Sequence, residues 1–398
     1  MWNALHPIVL PALLVDLVPA HSKNTYLGLL TFSGLLIAMV LQPISGALSD
    51  RWKSRFGRRR PLLAVGTLFD CVFLMLLAWS TGFTGLLLGY MGLQLSSNTA
   101  QGPLQGLMRD RVPHHQLGVA SSIKVFLDLA SLVAASFLAG RLMTNDRGGP
   151  ILVMLLVLGL LVASAAITIV FAREEPSDHR TAIQSPVLAG PQATTTRGNS
   201  SYWWLIGQRA AFLLGVYGLQ AFGQYYIQDA LQLADAPRQA GNLLAIIGVG
   251  TIVLVLAGGI LADRLGAKRL LFLASALGGS GMLLMSFTMD LRGLYLSGSI
   301  VGAGIGLFLT SNWALANQIA PLDQAGRFLG LTNLATAGAA ALARLEGPAV
   351  DLLNSAFPGE WLGYKGIFFF GCVCIALSTW FLSKVRPAPA PGGPVGVN

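Results

Sequence analysis

"GALSDR" at residues 46–51 and "GILADR" at residues 259–264 decide how this chain is organised. Each follows a long apolar run and precedes a basic stretch, and the two lie 213 positions apart. A second pair, "VPHHQLG" at 112–118 and "APLDQAG" at 320–326, lies 208 positions apart. Two motifs repeated at nearly the same offset predict a chain built from two similar halves.

The composition is that of a membrane protein. Of the 398 residues, 54% are hydrophobic and 11% are charged, whereas soluble domains carry about 25% charged residues. A membrane-spanning helix needs about 20 mostly apolar residues, and the apolar runs lack the alternation that barrel strands show. We therefore predict twelve membrane-spanning helices, at 2–20, 26–48, 62–80, 83–107, 118–141, 150–172, 203–228, 239–262, 269–289, 293–318, 328–350 and 362–383.

A polar segment separates the sixth predicted helix from the seventh. Residues 173–201 contain Pro, Gly, Ser and Thr without an apolar period, which is typical of a flexible linker. The sequence thus predicts an N-terminal six-helix bundle at 1–172, a cytoplasmic linker at 173–202 and a C-terminal bundle with a short tail at 203–398. The first helix contains Pro7, Pro11 and Pro19, so we expect it to be short and broken, or to begin upstream of Met1.

The basic residues predict the orientation in the membrane. If both termini face the cytoplasm, 17 of the 26 Lys and Arg residues lie in cytoplasmic segments and five lie in outer loops. This asymmetry is what the positive-inside rule requires. It also accounts for the cluster of six Lys and Arg between Arg51 and Arg60, so nucleic acid is not needed as a partner. The three Cys residues lie within predicted helices, without the spacing of a metal site.

The repeated motifs resemble those of the major facilitator superfamily. "GILADRLGAKR" at 259–269 is close to the family's loop motif, whereas the first copy has five residues between Arg51 and Gly57. That longer form, with the "DRVPHHQLGVAS" loop, resembles the sucrose–proton symporters and their bacterial relatives. The resemblance implies an all-α membrane protein, with twelve transmembrane helices in two pseudo-symmetric six-helix bundles.

In the family the loop motif takes part in gating. A carboxylate at the cytoplasmic end of a helix can face the positive N-terminus of a neighbouring helix. The resemblance implies that Asp50 faces the eleventh helix and Asp263 the fifth, and that both contacts break when the cytoplasmic side opens. Alternatively, the basic residues only set the topology. The candidate gating residues are Gly46, Asp50, Arg51, Gly57, Arg58, Arg59, Gly259, Asp263, Arg264 and Gly266.

Ionisable residues inside predicted helices are candidates for proton coupling, because a charge in the membrane is costly. Asp70 lies near the middle of the third helix with no cation one turn away. It could carry a proton or bond a neighbouring helix. Lys124 and Asp128 lie four positions apart, so they could take part in coupling or form a local ion pair. His6 is a weaker candidate because we place it near the interface.

Two stripes of polar residues are candidates for lining a solute site. Amides carry both donors and acceptors, and aromatic faces can pack against sugar C–H groups. The alternative is that the amides bond helices to one another. The fourth helix carries Gln94, Asn98, Gln101 and Gln105 on one face, and the seventh carries Tyr217, Gln220, Gln224 and Gln228.

These features together predict a secondary active transporter that works by alternating access. The sequence favours a proton-coupled sugar or glycoside symporter, monomeric, in a bacterial inner membrane, with a small solute and protons as partners. The alternatives are a drug or metabolite exporter, or a non-transporting receptor or assembly protein on the same fold. We expect no enzymatic activity and no cofactor, because the chain has no P-loop and no catalytic constellation.

Overall fold

The computed structural model of the protein describes residues 1–51, 54, 57, 59–113, 116–144, 148–171, 200–319 and 325–385. Within these ranges the regular structure is entirely helical, and it forms twelve long helices. They are α1 Trp2–Val15, α2 Lys23–Arg51, α3 Arg60–Ala78, α4 Phe83–Arg111, α5 Leu117–Leu142, α6 Gly148–Phe171, α7 Ser200–Asp229, α8 Ala236–Leu265, α9 Ala267–Phe287, α10 Leu291–Ile319, α11 Ala325–Arg344 with a second segment Glu346–Ala356, and α12 Leu362–Lys384.

These helices confirm the predicted all-α fold, and most ends agree with the prediction within a few residues. Two ends differ. The first helix ends at Val15 rather than at 20, because Pro19 is extended and cannot continue a helix. The eleventh extends to Ala356 rather than 350 and is interrupted at Leu345.

Eight of the helices in the described part of the chain are long and apolar enough to cross a membrane, namely α2, α3, α5, α6, α8, α9, α10 and α12. Their outward faces are apolar, and Leu160 and Ile167 of α6 are each 60% or more exposed. Large apolar side chains on an outer surface suit contact with lipid rather than water. The protein is therefore an integral membrane protein.

The other four helices, α1, α4, α7 and α11, fall short of that criterion. Helix α1 is too short, whereas α4 and α7 carry the predicted polar stripes. Polar side chains lower the hydropathy of a helix, and they are tolerated in a membrane where they bond to other helices. The less apolar helices are thus the ones to search for a functional site.

Small residues let helix backbones come into contact. A side chain at Gly304 of α10 would overlap the backbone of Gly278 in α9, and one at Gly28 of α2 would overlap the carbonyl of Arg344 in α11. Close approach at glycine is a common way for membrane helices to pack, because lipid supplies no hydrophobic drive for association.

The packing of the chain defines two compact units. Unit 1 contains Met1–Ala193, Ala221–Ala245 and Arg344–Gly363, and unit 2 contains Thr194–Gln220, Ile246–Ala343 and Tyr364–Asn398. Unit 1 therefore includes the end of α7, the start of α8 and the second segment of α11. The predicted boundaries at 172 and 203 stay a prediction, since most of the linker lies outside the described residues.

Candidate functional site

Helix α1 is irregular, and its two prolines explain why. Residues Leu5–Val9 form a π-helical turn between two α-helical segments. In an α-helix Pro7 would leave the carbonyl of Asn3 without a donor, since proline has no N–H. The hydroxyl of Ser136, on α5, donates to that carbonyl at 3.2 Å.

Pro11 has the same effect one turn later, on the carbonyl of Pro7. The side-chain amide of Gln224, on α7, lies 3.0 Å from that oxygen and 3.1 Å from the carbonyl oxygen of Ile8, and we assign its nitrogen to this side because only a donor satisfies both carbonyls. The hydroxyl of Tyr225 donates to the carbonyl of Pro11 at 2.9 Å. Gln224, predicted to line a solute site, therefore bonds the backbone of another helix.

A chain of neutral polar groups links α1, α4 and α2 within unit 1. Nε2 of His6 lies 3.0 Å from the hydroxyl of Tyr90, to which Gln94 donates at 2.7 Å. Asn98 donates to the side chain of Gln94 at 3.0 Å and accepts a hydrogen bond from Gln42 at 2.8 Å. We call these five residues the unit 1 chain.

The predicted stripe on α4 is divided by this chain. Gln94 and Asn98 are buried and bonded within it, as the helix-bonding alternative expects. Gln101 is half-buried and Gln105 is exposed, so the second part of the stripe is accessible. Gln42 and His6 complete the chain from helices on which no stripe was visible.

The exposed side of the unit 1 chain carries polar and aromatic groups. Trp2 stacks on His6 with ring centroids 4.9 Å apart, and both are half-buried. Asn3 donates to the hydroxyl of Ser131 at 3.0 Å. An aromatic face beside several donors and acceptors could hold a solute that carries hydroxyl groups.

Lys124 and Asp128 form an ion pair on α5. Their charged atoms are 2.8 Å apart, and the side chains are 49% and 65% exposed. This geometry is that of the local pair that the sequence left open. Because it is exposed, the pair contributes little to stability.

Asp70 lies between α3 and α4 and is only 2% exposed. The hydroxyl of Ser96, on α4, donates to its carboxylate. No cation among the described residues forms an ion pair with Asp70. The sequence located this buried acid, and the structure adds its neutral partner.

A second polar cluster lies in unit 2, around a buried arginine. Arg209 of α7 donates from Nε to Thr336 at 2.9 Å and from Nη1 to the side-chain oxygen of Asn312 at 2.6 Å. Asn312 donates in turn to Gln208 at 2.9 Å. We call these four residues the unit 2 cluster. Sequence reasoning missed it, although one arginine in an apolar helix is itself a signal.

Aromatic rings surround the guanidinium of Arg209. Its central carbon lies 5.4 Å from the ring centre of Trp313 and 5.9 Å from that of Phe308. Trp313 is half-buried, as are Tyr217 and Gln220 on α7. Part of the predicted α7 stripe thus lies in unit 2 with this cation, and part, Gln224 and Gln228, lies in unit 1.

The loop motifs are described only in part. Gly57 and Gly266 have φ values of 94° and 87°, in the left-handed region that favours glycine. Arg59 is buried and donates to the hydroxyl of Ser49 at 3.0 Å, and Arg264 is exposed. The remaining residues with side chains outside the described part of the structure are Asp50, Arg51, Arg58 and Asp263, so their gating role stays a prediction.

The start of α2 is fixed by two acids that the sequence did not single out. Lys23 lies 2.6 Å from Asp229 at the end of α7. Asp351 accepts hydrogen bonds from the side chain of Asn24 at 2.8 Å and the backbone N–H of Thr25 at 2.6 Å. All five residues belong to unit 1, and they join helices that are far apart in the sequence.

The family model of the Major Facilitator Superfamily matches residues 4–343. The chain belongs to this superfamily. Among curated proteins, it is 30% identical over 140 residues to the sucrose transport protein SUT5 of Oryza sativa subsp. indica, covering 28% of this chain and 26% of that protein. It is 25% identical over 208 residues to the sucrose transport protein SUC3 of Arabidopsis thaliana, covering 42% of this chain and 34% of that protein.

Solved structures show the same fold over nearly the whole chain. A bacterial homolog of the human lysosomal transporter Spinster has a TM-score of 0.73 at 15% identity, covering 98% of this chain and 96% of that one. A D-xylose–proton symporter has a TM-score of 0.67 at 17% identity, covering 97% and 94%. The superfamily is the one that the loop motifs predicted.

Proposed function

We propose that this transporter moves a solute rich in hydroxyl groups, of the sugar or glycoside class, in symport with protons. The observation that carries the proposal is the stacked pair Trp2 and His6, joined through Tyr90 to the amides of the unit 1 chain. An aromatic face next to neutral donors and acceptors suits a sugar. The partial matches to sucrose transport proteins support the same class.

Proton coupling needs a group that gains and loses a proton during the cycle. Asp70 is the first candidate, because its carboxylate is buried and its bonded partner, Ser96, is neutral. A hydroxyl can donate to a carboxylate and can accept from a carboxylic acid, so Ser96 tolerates both forms. Asp128 is the second candidate, since its pair with Lys124 is accessible.

Uptake into proteoliposomes tests the proposal. The purified full-length chain is reconstituted, an inward proton gradient is imposed, and radiolabelled sucrose, glucose, xylose, glucuronate and a simple glycoside are each offered. We expect accumulation of at least one sugar, abolished by a protonophore. Outward movement of a solute in exchange for inward protons would instead favour the exporter. The absence of any proton-driven flux would refute the proposal.

The Asp70→Asn variant tests the coupling role. The amide keeps the shape and the bond to Ser96 but cannot release a proton, so uphill accumulation should be lost while downhill exchange continues. Ser96→Ala is the matched control, because it removes the bond and leaves the carboxyl group in place. Proton-driven accumulation by Asp70→Asn would exclude Asp70 and direct attention to Asp128.

The gating role of the loop motifs and the orientation of the chain are further parts of the proposal. Asp50→Asn and Asp263→Asn should slow transport without preventing insertion into the membrane. Each removes a negative charge whose interaction with a helix N-terminus would contribute up to about 2 kcal/mol. Single cysteines placed between residues 173 and 201 of a Cys-free variant should resist an impermeant thiol reagent in intact cells. Normal transport by the double variant of Asp50 and Asp263 would overturn the gating role. Ready labelling of the linker cysteines would overturn the orientation.

A further inference from the structure

The unit 2 cluster contains a buried positive charge that the described residues do not neutralise. Arg209 is 4% exposed, and its guanidinium stays charged in proteins. Its hydrogen-bond acceptors, Thr336 and Asn312, are neutral, and no carboxylate in the described part of the chain forms an ion pair with it. Burying a charge without an opposite charge is costly.

The cluster also has more donors than acceptors. The side-chain nitrogen of Gln208 is buried and has no acceptor among the described residues, and Gln208 itself is fully buried. The hydrogen bonds of Arg209 to described side chains are made from Nε and Nη1. Its third nitrogen, Nη2, donates to no described side chain. Guanidinium and amide donors in excess match a ligand that supplies oxygen acceptors with a negative charge.

We propose that Arg209 and Gln208 form an oxyanion-recognition site and that the transported sugar carries a carboxylate, as uronic and aldonic acids do. This inference deepens the proposed function and rests on it for the sugar class of the solute. One arginine balances one negative charge, which favours a carboxylate over a doubly charged phosphate. The half-buried ring of Trp313, 5.4 Å from the guanidinium, offers a face for the sugar ring.

Asn312 provides a sharp test, because Asn→Asp changes its charge and barely changes its shape. In the Asn312→Asp variant, a carboxylate oxygen would replace the amide oxygen that lies 2.6 Å from Nη1 of Arg209. The unpartnered nitrogen of Gln208 could then turn to donate to the other oxygen. The protein would supply its own counter-charge, and a ligand carboxylate would no longer be needed.

The experiment measures ligand binding to the purified full-length protein by thermal shift and by tryptophan fluorescence. The probes are D-glucuronate, D-glucose and D-glucose 6-phosphate. We expect glucuronate to bind at least about thirtyfold more tightly than glucose, since losing one partner of a buried charge pair has an effect of that order. Asn312→Asp and Arg209→Gln should both abolish this preference.

The thermal shift separates this result from misfolding, because Asn312→Asp should raise the unfolding temperature without ligand while it removes glucuronate binding. Equal binding of glucose and glucuronate, binding of neither, or an unchanged preference in Asn312→Asp would overturn the inference. Tighter binding of glucose 6-phosphate would overturn the carboxylate in favour of a phosphate. Arg209-dependent glucuronate binding without proton-driven uptake would leave the site standing and refute the coupling.

Discussion

Lys23 in unit 1 and Arg209 in unit 2 are both buried cations, and they make equally short contacts with chemically different partners. Nζ of Lys23 lies 2.6 Å from a carboxylate oxygen of Asp229. Nη1 of Arg209 lies 2.6 Å from the amide oxygen of Asn312. Lys23 is neutralised by a carboxylate within its unit. The partner of Arg209 lies at the same distance but carries no charge.

The difference indicates what each contact does. An ion pair such as Lys23–Asp229 fixes two helices to each other and is complete without a ligand. Neutral acceptors hold a cation in position but do not neutralise its charge. A bound anion therefore interacts with the whole positive charge of Arg209. The comparison therefore assigns a structural role to Lys23 and a recognition role to Arg209.

The largest effect is expected when the unit 1 pair is broken. Asp229→Asn keeps the shape of the side chain but leaves Lys23 buried without a counter-charge. We expect a loss of about 2–3 kcal/mol, below the range of about 3–5 kcal/mol for fully buried pairs because Asp229 is 18% exposed. Thermal unfolding of the detergent-purified protein measures it, and an unchanged unfolding temperature would contradict the structural role.

The opposite change in unit 2 should have the opposite sign. Asn312→Asp gives Arg209 the partner that Lys23 already has, and a hydrogen bond between charged groups adds about 1.5–2 kcal/mol. The same unfolding assay should then show an increase. A decrease would mean that the neutral cluster is already fully compensated, and the contrast between the two cations would fail.

A smaller effect is expected for the neutral link in unit 1. Tyr90→Phe removes the hydroxyl that joins His6 to Gln94, and the buried amide of Gln94 loses its acceptor. The cost of about 1–1.5 kcal/mol is that of an unsatisfied buried donor. Leu86→Val, a mild change in the same buried helix, is a matched control for packing. A loss as large as that of Asp229→Asn would show that neutral and charged links are equivalent here.

The smallest effect is expected for the exposed ion pair on α5. Asp128→Asn breaks a contact of 2.8 Å between side chains that are about half or more exposed. An exposed i, i+4 pair contributes about 0.3–0.5 kcal/mol. Unfolding in low and high salt checks this value. A loss of unfolding free energy above about 1 kcal/mol would show that solvent does not screen the pair.

The sequence predicted the twelve helices well because hydropathy and length are local properties. The ends that differ also have local causes. Pro19 stops α1, and the break at Leu345 divides α11. The family followed from the repeated loop motifs, which are local as well.

The polar site was predicted less completely, because the partners of each side chain are set by packing. The stripe on α4 was visible, but its bonds to Gln42 and His6 cross to other helices. Lys23 and Asp229 are 206 positions apart, and no sequence period connects them. Arg209 was not singled out, although its position in an apolar run could have led to the unit 2 cluster.

The irregular turn of α1 has a consequence for how the protein is made. The ribosome synthesises α1 long before α7, yet the carbonyl oxygens of Pro7, Ile8 and Pro11 are bonded by Gln224 and Tyr225, and Tyr225 follows Pro11 by 214 positions. Helix α1 therefore cannot reach its final hydrogen-bonded form until α7 has been translated. The folding of α1 is thus completed long after its synthesis. A nascent chain released after α6 would lack the hydrogen bonds that Gln224 and Tyr225 make to α1.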